Sequence, residues 1–478
     1  MVRMAEALER LEKLAASPIV STLSRAFAEA EYELALVGGP VRDAILGRTV
    51  NDFDFTTNAR PDDILRIVTP ISDAQWDIGR EFGTIGARIH GETIEITTYR
   101  ADTYDGVTRK PVVAFGDTLT GDLSRRDFTV NAMALRLPQV ALEDPTGGFQ
   151  DLADRTLRTP IEPAVSFGDD PLRMMRAARF SSQLDFTVDE DARAAITEMT
   201  ASIENISAER VQAELSKLLL TDNPRPGIEL LVDTGLADIV LPELPALRLE
   251  ADEHHHHKDV YQHSLTVLEQ AISYEHERHP EAEPDLVLRW AALLHDIGKP
   301  ATRKLGPGGT VSFYHHDLVG SKLAKKRLGA LRYDTATIKA VGRLVELHMR
   351  FFGYTEAAWA DSAVRRYVRD AGDLLERLHM LTRADVTTRN RRKADRLAFA
   401  YDDLEARIAE LAEQEELDAV RPDLDGNQIQ QILGIAPGRE VGEAYRWLLE
   451  LRLDEGPLGP EVATERLRAW WAARDSAE

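Results

Sequence analysis

The sequence predicts an α/β fold over its first 150 residues and a mostly α-helical chain behind it, and three observations carry that reading. Residues 34–37 form a short apolar run that ends in Gly38-Gly39 and leads into a helical pattern with Val41, Ile45 and Leu46. Residues 51–56 and 93–99 alternate apolar and polar side chains, the period of two expected of half-buried strands. From about residue 169 the pattern changes: segments 171–184, 208–220, 286–294 and 362–386 repeat their apolar residues at helical spacing, with almost no strand signal. Breaks near Pro242 to Pro245, at the Gly306 to Gly309 loop and in the acidic stretch before Pro422 suggest joints. The expected organisation is residues 1–155, 156–245, 255–398 and 399–478.

Composition bounds the function. At roughly 100–200 residues per domain, 478 residues make about two to four domains. Hydrophobic residues at 43% and charged residues at 29% match a globular chain and exclude a disordered or fibrous one. Cysteine is absent, so disulfides, thiolate zinc sites and thiol nucleophiles are excluded and any metal must sit on His, Asp or Glu. No apolar stretch approaches the roughly 20 residues that span a bilayer, and the amphipathic, Glu-bearing start does not read as a signal peptide. A cytoplasmic protein without membrane contact is expected. The net charge of −23 argues against indiscriminate nucleic-acid binding, so an RNA partner needs a local cationic patch. Two segments offer one: residues 321–332 carry five basic and no acidic side chains, and residues 383–396 carry six basic against two acidic.

The chemistry begins at Leu36-Val-Gly-Gly-Pro-Val-Arg-Asp43. Gly38 and Gly39 stand at a strand-to-helix turn, where backbone N–H groups can approach an anion at the positive end of a helix. Nine residues beyond Asp43 come Asp52 and Asp54, which share one face of a strand and form a divalent-metal clamp suited to Mg²⁺ and phosphate oxygens. Glu95, on a strand facing opposite to Ile94 and Ile96, either completes that clamp or faces solvent. Arg42 and Arg126 suit a triphosphate, because a planar guanidinium grips phosphate oxygens through two N–H groups. Asp170, Arg173, Arg176 and Arg179 recur every three residues along one side of a helix, a ridge of donors with one acceptor that can read a base edge. Met174, Met175, Ala177 and Phe180 are expected in the core.

With these residues in place, GGPVRD followed by DFD resembles the signature of polymerase-β-type nucleotidyltransferases, specifically class II tRNA nucleotidyltransferases (CCA-adding enzymes) and their poly(A) polymerase relatives. Arg125-Arg-Asp-Phe-Thr-Val-Asn-Ala132, Asp144-Pro-Thr-Gly-Gly-Phe-Gln-Asp-Leu152, Asp170-Pro-Leu-Arg173 and Glu209-Arg-Val-Gln-Ala-Glu-Leu215 resemble further motifs in the same order. The resemblance covers residues 30–220 and implies a polymerase-β-like nucleotidyltransferase head, then a helical neck. It implies CTP, ATP and tRNA as ligands and Mg²⁺ on Asp52 and Asp54. It also implies a nucleotide site that includes Asp127 of the RRD motif, with Asp170 and Arg173 as a protein template. Residues 102–115, including Gly106, Arg109, Lys110 and Pro111, read as a mobile loop of the kind the family uses for the terminal adenosine.

Further on, His295-Asp296-Ile-Gly298 resembles the HD phosphohydrolase superfamily, whose ligand order is matched by His263, His295, Asp296, His316, His348 and Asp385, with His315 as an alternative to His316. Imidazole and carboxylate suit Zn, Mn, Fe, Co or Ni, which can turn bound water into hydroxide near neutral pH. Such a centre implies hydrolysis of cyclic or terminal phosphates on RNA. The His254 to His257 run reads as a polar hinge, and Trp447, Trp470 and Trp471 as helix packing in a tail that the family uses to hold tRNA. Complete CCA addition leads, with A-only addition or poly(A) synthesis as alternatives and an HD signalling hydrolase as the alternative of another class. Monomer and homodimer stay open.

Overall fold

The computed structural model describes residues 3–77, 79–103, 112–116, 118–249, 260–307, 311–356, 359–388, 390–415 and 421–475. His254 to His257, Gly106, Arg109, Lys110, Pro111, Gly308, Gly309 and the acidic stretch 416–420 lie outside the described residues. The chain divides into two compact units, Met1–Pro242 and Glu243–Glu478.

The first unit is built on a seven-stranded sheet with order β3-β4-β5-β2-β1-β8-β9. Its strands are β1 (Leu34–Val37), β2 (Phe53–Thr57), β3 (Ala74–Trp76), β4 (Thr84–Ile89), β5 (Glu92–Thr98), β8 (Ala134–Leu137) and β9 (Ala141–Glu143). A separate hairpin pairs β6 (Arg100–Thr103) with β7 (Val112–Phe115), so the segment expected as a loop has strand pairing at its base. β1 is buried along its whole length because β2 and β8 flank it and apolar side chains leave on both faces. β5 alternates instead: Ile94, Ile96 and Thr98 are buried while Thr93 and Glu95 face outward. β2 and β5 run parallel, with Asp54 opposite Glu95.

Behind the sheet the unit is helical, and Leu172–Leu184 packs between Ala208–Leu219 and Arg225–Asp233. Close packing there needs Gly227, whose added Cβ would stand 2.2 Å from the Ala178 carbonyl oxygen.

The second unit is helical around Val260–Arg278, Leu286–Leu294, Thr335–Leu347 and Leu375–Ala384. On Val260–Arg278 the residues Val260, Tyr261, Leu265, Leu268 and Ile272 are buried at helical spacing. Removing a large apolar side chain from water stabilises by about 1.5–3 kcal/mol. The stretch read as one helix over 362–386 is two, Asp361–Ala371 and Leu375–Ala384, because Gly372 takes φ +50° and turns the chain between them. In the tail, Leu424, Ile429, Ala444, Leu448, Ala463 and Leu467 form a core of their own. Trp447 and Trp470 stack against it with ring centroids 5.0 Å apart, so these tryptophans pack helices as expected.

Candidate nucleotidyl-transfer site and metal centre

In the first unit, β1 delivers its C-terminal end to Gly38, whose φ +74° and ψ −127° only glycine adopts readily. Its N–H donates to the Met133 carbonyl at 3.1 Å, and its α-carbon lies against the Arg126 guanidinium: an added Cβ would meet Nη1 at 3.1 Å. Arg126 therefore stands at the glycine turn, steadied by Asp122 at 3.3 Å. Arg42, expected to grip triphosphate, is placed differently. It is buried at 4% exposure, Nη1 donates to Asn131 at 2.7 Å, and Nε and Nη2 donate to Asp43 at 2.9 Å each. Its donors brace the turn and the RRDFTVNA segment, so Arg126 is the better placed of the two for a phosphate.

Asp54 lies in β2 and Asp52 just before it, exposed. Directly paired residues of parallel strands leave on the same face, so Asp54 and Glu95 share one. Burial pushes the Asp54 carboxyl up, Glu95 and Asp52 add to this, and Arg126 opposes it. Burial is the largest of these effects, and a carboxyl so placed beside two others would suit a divalent ion. Among the described residues, Asp52, Asp54 and Glu95 do not form a set whose ligand atoms all lie within 4.8 Å of one another.

The residues from Asp170 to Arg179 are held from behind. Arg173 is buried, donating to Ser166 Oγ at 2.8 Å and to the Arg125 carbonyl at 2.5 Å, which ties the helix to the RRD motif. Asp170 accepts from the Leu172 N–H at 3.1 Å and pairs with Arg210 at 3.1 Å. Arg179 pairs with buried Glu214 at 3.3 Å, and Arg176 with Asp127 at 2.7 Å. Burial raises the Asp127 carboxyl, but Arg176, Asn131 and the Phe128 N–H together hold it below the ordinary carboxylate range. Phe180, buried as expected, is ringed by the guanidinium carbons of Arg179, Arg42 and Arg176 at 4.2, 5.5 and 5.6 Å from its centroid.

Sequence reasoning named the Glu209 to Leu215 motif but not what it does: Arg210 and Glu214, four apart on one helix face, hold Asp170 and Arg179. Their opposite charges at helical spacing were the available signal. The DPTGGFQDL motif acts on the backbone. Asp144 accepts from the N–H groups of Gly148 and Phe149 at 2.7 and 2.9 Å, and Asp151 accepts from Thr129 Oγ1 at 2.6 Å. Gly148 is pressed against Thr129, where a Cβ would stand 2.1 Å from the carbonyl oxygen.

In the second unit the six expected ligands converge, and they form two sets: His263, His295 and Asp385, and Asp296, His316 and His348. Asp296 connects them, with Oδ2 3.2 Å from His295 Nε2 and 3.6 Å from His263 Nε2, and Oδ1 3.3 Å from His316 Nε2. One local device aims three of the imidazoles. His295, His316 and His348 each place Nδ1 2.6–2.9 Å from the carbonyl three residues earlier, of Ala292, Phe313 and Val345. Each Nδ1 is thereby committed and Nε2 turns inward. His263 does the same with Thr387 Oγ1 at 3.1 Å. His315, the alternative ligand, is exposed in the left-handed region at φ +63° and stays outside both sets. Burial opposes a charged His295, but Asp296 and Asp385 outweigh it and lift its imidazole to about 10. Both carboxyls lie well below their ordinary value: burial opposes this, and the neighbouring histidines and Lys299 prevail. Four imidazole nitrogens and two ionised carboxylates in two adjoining sets are donors that would suit a divalent metal. The helix-ending glycine is part of this: a Cβ on Gly298 would lie 2.1 Å from the His316 carbonyl oxygen.

Among the described residues no helix is long and apolar enough to cross a membrane. The family described as "Poly A polymerase head domain" matches residues 34–158, "Probable RNA and SrmB- binding site of polymerase A" residues 185–247, and "HD domain" residues 260–390. The A-adding tRNA nucleotidyltransferase of Deinococcus radiodurans is 36% identical over 449 residues, 91% of this chain and 95% of its own length. The CCA-adding enzyme of Levilactobacillus brevis is 40% identical over 222 residues, and that match spans only 54% of its length. Among solved structures, the Bacillus stearothermophilus CCA-adding enzyme in complex with CTP superposes with a TM-score of 0.67 at 23% identity, covering 97% of this chain and 100% of that one. The Thermotoga maritima CCA-adding enzyme complexed with tRNA does so with a TM-score of 0.61 at 19% identity, covering 97% and 98%. These two establish the fold, and the full-length match at 36% identity establishes more: the chain belongs to the class II tRNA nucleotidyltransferase and poly(A) polymerase family, with an HD domain behind the head and neck.

Proposed function

We propose that the protein builds the CCA end of tRNA from CTP and ATP without a nucleic-acid template, by in-line attack of the RNA 3′-hydroxyl on the nucleotide α-phosphate. The observation that carries this reading is the gathering of Asp54 and Glu95 on one strand face with Arg126 at the Gly38 turn. Asp52, Asp54 and Glu95 would hold Mg²⁺, which when bound stabilises the charge that develops on the transferring phosphate. Arg126 binds the triphosphate at the Gly38 turn, with Arg42 bracing that turn. Asp170 presents an acceptor and Arg173 donors to the base edge, and their fixed partners Arg210, Ser166 and the Arg125 carbonyl supply the rigidity a protein template needs.

The HD centre adds a phosphohydrolase acting on terminal or cyclic phosphates of RNA, supported by the two ligand sets and using Mn, Ni, Co, Fe or Zn. The head precedes the HD domain, an order that disfavours a signalling hydrolase. A cytoplasmic location fits tRNA processing. One observation favours a second reading, A-only addition: the relative matched over nearly its full length adds A.

The test incubates the protein and Mg²⁺ with transcripts of one tRNA ending before CCA, after C and after CC, with labelled CTP, ATP or both. Growth to CCA followed by arrest supports the main reading. Addition of A to the CC end alone supports the second, long A tails indicate a poly(A) polymerase, and no addition overturns the proposal.

A further inference from the structure

The helix Arg391–Glu415 is fixed to the framework of the HD centre. Tyr401 Oη donates to the Thr382 carbonyl at 2.7 Å, and its ring stacks on Phe351 with centroids 3.5 Å apart. Thr382 lies one turn before Asp385, and Phe351 three residues after His348, so the helix rests on two ligand-bearing segments. Its inner stripe of Leu397, Tyr401, Leu404, Ile408 and Leu411 is buried. At 100° per residue, Arg392, Arg396 and Phe399 lie about 130° around the helix from that stripe, on a single face. All three are exposed, Phe399 at 73%.

This face is unusual in its charge. Arg278, Arg377, Arg383 and Arg407, on the same framework, each hold a carboxylate. Arg391, Arg392, Lys393 and Arg396 make no ion pair among the described residues, although the chain carries a net charge of −23. An aromatic ring turned away from the core beside unneutralised guanidiniums contributes nothing to packing. It suits a chain of phosphates with unstacked bases, which guanidiniums bind by charge and aromatic faces bind by stacking. A duplex keeps its bases stacked, so a single strand is the better match.

We propose that Arg392, Arg396 and Phe399 form a docking face for single-stranded RNA that leads the strand to the HD centre. The six residue-to-residue steps from Asp385 to Arg391 span at most about 20 Å of chain, within reach of a short oligonucleotide. The choice of RNA rests on the tRNA reading above.

The test titrates the full-length protein against a fluorescein-labelled single-stranded oligoribonucleotide over a range of salt, and maps crosslinks from a 4-thiouridine version of it. R392A/R396A is expected to flatten the slope of log affinity against log salt by about 1.4, at about 0.7 per single-strand phosphate contact. Phe399→Ala should weaken binding about 10-fold with the slope intact. K322A/K326A, removing exposed cations from the helix His316–Ala330, should change neither, and crosslinks should fall on residues 391–399. Wild-type affinity and slope in R392A/R396A, an equal loss in K322A/K326A, or crosslinks confined to other segments would overturn the proposal. If nucleotidyl transfer fails while crosslinks fall on this helix, the docking face stands and the tRNA reading falls.

Discussion

Glu214→Gln tests whether the helix Leu172–Leu184 is held by charge from the helix behind it. Arg179 and Glu214 are exposed by only 8% and 7%, with Nε and Oε2 3.3 Å apart. Burial already pulls the Arg179 guanidinium below its ordinary value, with Glu214 opposing it, so removing that carboxylate leaves a desolvated cation. Breaking a buried pair from one side costs about 3–5 kcal/mol. That is a large share of the roughly 5–15 kcal/mol that stabilises a domain. At about 2–4 °C per kcal/mol for a unit of this size, the first unit should melt about 6–20 °C lower. Differential scanning calorimetry of the whole protein reads this, the relevant transition being the one that chelation leaves in place. Replacing both partners with apolar residues, Arg179→Met with Glu214→Leu, should recover most of the loss. A shift below about 2 °C in Glu214→Gln would show that Arg179 is solvated in the folded protein and refute the reasoning.

Gly298→Ala places a Cβ 2.1 Å from the His316 carbonyl oxygen and 2.6 Å from the Gly320 nitrogen, so backbone must move and His316 with it. Metal affinity, measured by competition with a chelator, should fall about 10–100-fold, and an unchanged affinity would contradict the packing. Asp127, whose folded value is depressed, stabilises the first unit fully above its unfolded value near 4 and loses that contribution as pH falls through the folded value. Urea unfolding across this acid range should therefore show a shallower pH dependence in Asp127→Asn, and parallel profiles would contradict it. Mn²⁺ at 100 times its dissociation constant should stabilise the second unit by about 2.7 kcal/mol, an effect lost on chelation and in His295→Ala. Identical melting with and without metal would remove the centre.

The parts of the site legible in the sequence were those built from neighbours in the chain. Gly38-Gly39 at the strand-to-helix turn, the alternation that turns Glu95 away from Ile94 and Ile96, and the three-residue repeat from Arg173 to Arg179 are local, and the structure keeps each of them; Asp170, expected on the same helix, stands before it, because Pro171 caps a helix that begins at Leu172. What joins distant segments was not legible. Strand pairing sets Asp54 opposite Glu95 across 41 residues, and no local pattern encodes that register. Arg42 read as a phosphate ligand because a guanidinium beside glycines suits one; that Asn131, 89 residues away, takes its Nη1 depends on the fold. The HD ligands were found by order alone, but their division into two sets follows from where the two oxygens of Asp296 point. Gly372 shows the reverse case: glycine was visible, and helical periodicity on both sides of it concealed the turn.

Single-turnover addition of labelled AMP to a tRNA transcript ending in CC, at saturating ATP and Mg²⁺, tests most directly whether the head carboxylates are the seat of nucleotidyl transfer. Asp54→Asn should fold with wild-type stability and bind the transcript equally well, yet transfer AMP at least about 1,000-fold more slowly, the loss of about 4 kcal/mol of transition-state stabilisation. Transfer within about 10-fold of the wild-type rate would contradict the account.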